Sequence, residues 1–253
     1  MSVEAPASPI RVADVRAGNG PRWIAEAFRI YRAQPLVWSA LTLGWIVMSF
    51  GLLLVPIIGG IAVNVLQPVF FASFAIAARK QMQGERVEMG DLFLGFRTNL
   101  RALVNVGMVE LGIAFVIVLG LTLLAGPPAA PADGGSTPSA QDIARMIEDK
   151  GWYLFSALLL IVLVKGALWF APALIAFHGL SAMHAIRWSV YAALSNAGAM
   201  IAYLLALALA YLVAALPWGL GFVIVLPLMV LSTFTAYRDV FEAGAPAQST
   251  PAT

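Results

Sequence analysis

Six apolar stretches, each close to the roughly 20 residues that a helix needs to cross a bilayer, run through this chain, and only Glu110 and Lys165 bring charge into them. They lie at Leu36–Pro56, Ile57–Ala78, Ala102–Leu124, Tyr153–Phe177, Gly198–Leu216 and Trp218–Ala236. The hydrocarbon core offers no water to satisfy backbone amides, so stretches of this length must be helical. Composition agrees: 61% of the residues are hydrophobic and 11% charged, against about 25% charged in a soluble domain. A globular core of this size cannot hide so much apolar surface, so lipid must solvate it. The expected fold class is all-α, a polytopic membrane protein with six transmembrane helices.

The joints at Pro56–Gly60 and Pro217–Gly219 are short enough to force tight antiparallel hairpins. Orientation follows from Lys and Arg in the flanks, because cytoplasmic loops carry an excess of both. Arg11, Arg16, Arg22, Arg29 and Arg32 precede the first span; Arg79, Lys80, Arg86, Arg97 and Arg101 follow the second; Arg187 follows the fourth and Arg238 the sixth. The opposite side has only Arg145 and Lys150, set among Asp133, Asp142, Glu148 and Asp149. Both termini are therefore expected in the cytoplasm, with the chain multi-pass in the cell inner membrane. The segment before Leu36 is polar and basic and lacks the short apolar core of a secretory signal. Residues 1–19 and 243–253 read as disordered cytoplasmic ends of a six-helix domain over 20–242. Residues 125–152 read as an external loop, a Pro/Ala/Gly linker and then a short helix. Ser139 and Asp142 suit the start of that helix, Ile143, Met146 and Ile147 share a face, and Gly151 suits its end. A solvated loop with one helical turn fits the same residues.

A short amphipathic segment precedes each hairpin. Trp23, Ile24, Ala27, Phe28 and Tyr31 form one face of the first; Met89, Leu92, Phe93 and Phe96 form one face of the second; Met183, Ile186 and Val190 align in the third. Glu85, Glu88 and Asp91 read as the solvated side of the second. Pro35, Asn99 and Asn196 follow these segments, where new helices would begin. The second helix of every hairpin contains a proline: Pro68, Pro172 and Pro227. Phe28, Tyr31, Pro68, Ser73 and Arg79 recur as Trp188, Tyr191, Pro227, Ser232 and Arg238 at offsets of 159 or 160. The chain thus reads as three amphipathic-helix-plus-hairpin units in one orientation, with the middle unit the divergent one. The amphipathic segments suit either packing beneath the bundle or lying in the interface plane against anionic lipid.

Charge at a bilayer centre costs about 2.5–3.5 kcal/mol on insertion scales, so Glu110 and Lys165 are expected to face each other or a polar cavity. Glu110 lies about 13 Å from the inner end of its span and Lys165 roughly 18 Å at 1.5 Å per residue, a difference the side chains can bridge. An ion pair that fixes two neighbouring helices is the ordinary reading, and a proton or ion relay or a lipid head-group contact is the functional one. Asn64 and Gln67 share a face of the second span, and Asn105 adds an amide on the third. Interhelical hydrogen bonds, about 0.6–2 kcal/mol each, account for such residues, and a polar pathway with Glu110 and Lys165 is the alternative. Pro68, Pro172 and Pro227 are expected to kink their helices. Gly198, Ala202, Ala206, Ala210 and Ala214 form a ridge of small residues for close helix packing, within the chain or against a second copy.

Catalytic and cofactor signals are absent from the sequence. There is no cysteine. His178 and His184 are six apart and share no helical face, and no third ligand stands near them, so no metal site is expected. No nucleophile elbow, phosphate-binding loop, dinucleotide turn or zinc-protease motif occurs. The net charge of +2 carries no nucleic-acid signal.

At Trp169-Phe170-Ala171-Pro172-Ala173-Leu174-Ile175-Ala176-Phe177-His178, then Ala185-Ile186-Arg187-Trp188-Ser189 and Asn196, and again at Ala236-Tyr237-Arg238-Asp239-Val240-Phe241, the chain resembles an uncharacterised bacterial family of six-helix inner-membrane proteins. That family is distantly similar to the membrane domain beside glycerophosphoryl diester phosphodiesterases. The resemblance covers about residues 20–242 and implies the six-helix fold. It transfers no catalytic residue, and no segment outside the spans is long enough for a phosphodiesterase domain. The expected function is a non-enzymatic inner-membrane protein that organises or assists lipids or a membrane complex, with lipids and either a second copy or another membrane protein as partners. The alternative is a small transporter or channel using Glu110, Lys165 and Asn64.

Overall fold

The computed structural model describes residues 10–125 and 140–243. Among them the chain is helical, with no strand: α1 Asn19–Ala33, α2 Pro35–Leu53, α3 Ile58–Met82, a 3₁₀ helix Met89–Arg97, α4 Leu100–Ala125, α5 Ala140–Leu168, α6 Ala171–His178, α7 Ala182–Ser195, α8 Ala197–Ala215 and α9 Phe222–Phe241. Six helical stretches are long and apolar enough to cross a membrane: α2, α3, α4, the α5–α6 stretch from Gly151 to His178, α8 and α9.

Each amphipathic element turns into its hairpin at a residue whose chemistry forces the bend. Gln34 leaves helical geometry (φ −142°, ψ 62°) before Pro35 opens α2, because a proline drives the residue before it out of the helical region. Thr98 is extended, and the Asn99 side chain accepts a hydrogen bond from Ala102 N at 3.3 Å at the head of α4. Asn196 leaves helical geometry between α7 and α8, and its amide ties Val15 N (2.8 Å) and Ala13 O (3.1 Å). With Ala13 N donating to Val240 O, residues 10–18 lie as a strap along the bundle. This differs from the expected disorder of residues 1–19; residues 1–9 and the tail 244–253 lie outside the described residues.

The three proline-bearing second helices form the core. Half of the spanning window of α3 is buried, 39% of α5–α6 and 61% of α9, against 17% of α2, 11% of α4 and 28% of α8. Aromatic pairs join α6 to α9 through Phe177–Phe234, Phe177–Tyr237 and Phe170–Phe241. The guanidinium of Arg79, from the end of α3, sits 3.4 Å over the Phe177 ring. The amphipathic elements close a ring around this core. The 3₁₀ helix packs on α3, α7 on α5 and α6, and α1 on α9. Each elbow therefore rests on the second helix of the preceding unit, with the first elbow on the last.

One hydroxyl crosses each of these contacts. Ser73 accepts from Gly95 N at 2.8 Å; Ser189 accepts from Phe170 N at 3.0 Å; Thr235 donates to Trp23 O at 2.8 Å. Gly95 is required at its position, since a Cβ there would stand 2.1 Å from Val69 O.

Several sequence expectations change. Trp23, Ala27 and Tyr31 are buried as the first amphipathic face predicts, but Phe28 is exposed. The second element is a 3₁₀ helix, so residues three apart eclipse, and Asp91, Leu92 and Gly95 turn inward while Met89 and Phe93 turn out. Asp91 is not solvated: it is buried, accepts from Glu88 N at 2.9 Å and pairs with Lys80 at 3.1 Å. In α7 the packed face is Ala185, Ser189, Ala192 and Ala193, and Met183 is exposed. The external helix does not stop at Gly151; α5 runs without interruption from Ala140 into the span. Residues 126–139, with Ser139, lie outside the described residues. The last span begins at Phe222, because residues 216–221 turn, with Trp218 and Gly219 at positive φ (56° and 81°).

Pro172 ends a helix where Pro68 and Pro227 do not. Its ring would clash with the carbonyl four residues back, which is Leu168, the last residue of α5. The chain turns through Trp169 and Phe170 and restarts at Ala171. Ser189 satisfies both sides of the break, accepting from Phe170 N and donating to Ala167 O at 2.7 Å. Pro68 and Pro227 remain inside continuous helices.

Candidate intramembrane polar site

The site forms where α3, α4 and α5 meet beside the break. Gly107 brings the backbone of α4 against α3, since a Cβ there would stand 2.4 Å from Val65 O. One turn further along α4, Glu110 faces Lys165 of α5, and the two form an ion pair. Lys165 Nζ also donates to Gln67 Oε1 of α3 at 2.9 Å. Three helices are thus tied by one ammonium. The Glu110 side chain is 13% exposed and that of Lys165 41%, so the carboxylate is the sheltered partner and the ammonium the accessible one.

Beside the pair lies a cavity of about 180 Å³. Pro68 and Pro172 form part of its wall, with Phe71, Leu168, Met229 and Thr233. Trp169, displaced from α5 by the break, also lines it. Its indole N–H is buried without an acceptor among the described residues, and its ring meets Tyr203 edge-on at 5.0 Å. The cavity is therefore lined by a lysine, a carboxylate side chain and apolar walls. Apolar walls with a few polar groups are the features of a small-molecule binding site.

The remaining polar residues stand apart. Asn64 turns back to its own helix, donating to Gly60 O at 2.9 Å. Asn105 is exposed on α4. No chain of polar side chains links them to the pair among the described residues. The small-residue ridge of α8 is used at its ends. Ala202 lies against Gly20 and Ala214 against Gly221, while Gly198 is exposed and Ala206 and Ala210 are half-buried. The main buried face of α8 is Ala199, Met200, Tyr203 and Leu207.

Sequence reasoning overlooked Trp169, Thr233 and Ser189. The only signal was the position of Trp169 three residues before a proline in an apolar run, which marks a break only once Ser189 is known to cap it. It also overlooked the end of the core, where Arg79 pairs with Glu242, which Arg238 approaches at 3.8 Å. There His178 Nε2 lies 2.8 Å from the Tyr237 hydroxyl. No group of three or more metal-ligating side chains occurs among the described residues.

Six membrane-length helices and a paired charge within the bundle define the class: a multi-pass α-helical membrane protein. The chain is 25% identical over 266 residues to a probable inner membrane protein of Burkholderia thailandensis, an alignment covering 94% of this chain and 97% of that relative. With the six apolar helices, this makes it a multi-pass protein of the inner membrane. No protein-family model matches the chain, and no solved structure matches it.

Proposed function

We propose that the protein is a non-enzymatic scaffold that organises lipid at the inner face of the membrane, with both termini in the cytoplasm. The observation that carries this reading is the two-faced character of the elbows. One side of each is held on a core helix, while the other leaves Phe28, Met89, Phe93, Met183 and Tyr191 exposed. These stand beside Arg22, Arg29, Arg97 and Arg187, which are exposed too. Apolar side chains alternating with cations suit the head-group boundary of an anionic leaflet. The strap ties Ala13 to Val240 of α9, so these two residues lie on one side of the bundle, and the excess of Lys and Arg on that side supports its being the cytoplasmic one. On this reading the Glu110–Lys165–Gln67 cluster pins three helices beneath the elbows.

A second reading is a small transporter, favoured by the accessible Lys165 ammonium at the mouth of the cavity. Two measurements separate them. Native mass spectrometry of the purified protein is expected to find retained lipid, and its absence removes the scaffold reading. Ion or solute flux into liposomes that is abolished by an Asn64→Ala/Glu110→Ala/Lys165→Ala variant would establish transport.

A further inference from the structure

We propose that the cleft between the N-terminal strap and α7 is a binding site for the phosphate of an anionic phospholipid in the adjoining leaflet; this rests on the scaffold reading above and gives it a location. The cleft measures about 720 Å³ and is lined by Ile10, Arg11, Val12, His184, Arg187, Trp188 and Tyr191. That volume falls in the range of roughly 300–1,000 Å³ typical of small-molecule sites, enough for a glycerophosphate head group.

Its charge is of one sign. Arg11 comes from the strap and Arg187 from α7, and no carboxylate among the described residues lines the cleft. Neither guanidinium has an ion-pair partner among the described residues, although Arg79, Lys80, Lys165 and Arg238 all do. Two planar guanidiniums converging on one space match the oxygens of a phosphodiester. His184 adds a third polar group. Its Nδ1 lies 2.9 Å from the Ser181 hydroxyl, and when that hydroxyl donates, Nε2 carries the proton and becomes a donor.

The strap is held in place rather than merely adjacent. Asn196 binds both Val15 N and Ala13 O, and Ala13 N binds Val240 O, so Arg11 is presented two residues from a fixed point. The apolar part of the lining suits the rest of a lipid. Trp188 and Tyr191 form an edge-on pair at 6.0 Å. Met183, Arg187, Tyr191 and Leu194, all exposed, follow one stripe of α7 at helical spacing. This places acyl-compatible surface beside the cations. A soluble phosphate would leave that surface unmatched, which favours the lipid as occupant.

The test uses the full chain in non-ionic detergent, with phosphatidylglycerol and phosphatidylcholine titrated in separately and each bound lipid counted by native mass spectrometry. The wild type is expected to bind phosphatidylglycerol more tightly. Arg11→Gln/Arg187→Gln should weaken that binding about thirtyfold, roughly fivefold for each guanidinium, and weaken phosphatidylcholine, whose choline cation offsets its phosphodiester charge, by much less. Arg86→Gln/Arg101→Gln removes the same charge from exposed positions outside the cleft and should leave both affinities as they are. Equal affinity for the two lipids, or an unaltered phosphatidylglycerol affinity in the first variant, overturns the site while the scaffold reading stands. Failure to retain either lipid overturns both. Complete displacement of phosphatidylglycerol by millimolar inorganic phosphate would make the occupant a free anion and overturn the lipid assignment.

Discussion

The middle unit and the two that flank it start from the same plan and finish differently. Each has an elbow, an outer helix and a core helix with a proline. In the flanking units the core helix runs through Pro68 or Pro227 unbroken, and the hydroxyls that follow, Ser73 and Thr235, lie on that helix. In the middle unit the hydroxyl comes from the elbow instead. Ser189 supplies partners to Ala167 O and Phe170 N, and the helix parts there. A proline removes one donor and crowds one carbonyl wherever it stands. Whether the helix bends or breaks depends on whether another element can satisfy the freed groups. The charge pair, the cavity and the unpaired Trp169 N–H all gather at the one break that is so capped.

That contrast can be attacked at several points. The largest effect is expected from Gly107→Leu, which drives a branched side chain into Val65 O and separates α4 from α3. We expect loss of the folded monodisperse species in fluorescence-detected size exclusion, whereas Gly112→Leu, with open space around its Cα, should elute normally. Next is Ser189→Ala, which leaves a buried N–H and C=O without partners and should cost about 1–3 kcal/mol, read as a lowered melting temperature in detergent. If the break depends on that cap, Ser189→Ala combined with Pro172→Ala should recover part of the loss by allowing a continuous helix. Asn105→Ala should change stability by less than about 0.5 kcal/mol, as expected of an exposed side chain. A large loss there would mean that Asn105 meets a partner in the membrane and that the polar residues are more connected than the fold suggests.

The general plan was legible in the sequence because it rests on long-period signals: hydropathy over some twenty residues, prolines in matching places, and Pro35, Asn99 and Asn196 at the bends. All three bends fall where those residues stand. The packed faces were less legible. The face of α7 is made of Ala185, Ser189 and Ala192, which give no hydrophobic contrast. The second elbow follows a three-residue period, which put Asp91 inside. The break at Pro172 could not be told from the unbroken helix at Pro68 and Pro227, since its cause lies 22 residues from the carbonyl it satisfies. Glu110 and Lys165 stood out by charge alone. Gln67 as third partner came from 98 residues away, and its residue type admitted several acceptors. Asn64 looked identical to Gln67 in sequence, yet it turns back to its own helix.

The central claim is that Glu110 and Lys165 act as a structural pin, and a double-mutant cycle tests it most directly. Melting temperatures are measured for the wild type, Glu110→Ala, Lys165→Ala and the double variant in one detergent. Removing one partner of an ion pair leaves the survivor uncompensated, at a cost that rises with the survivor's burial. Lys165→Ala strands the sheltered Glu110 carboxylate and should be the more damaging single change, and the double variant should be more stable than either. A double variant whose loss equals the sum of the two single losses would contradict the pin.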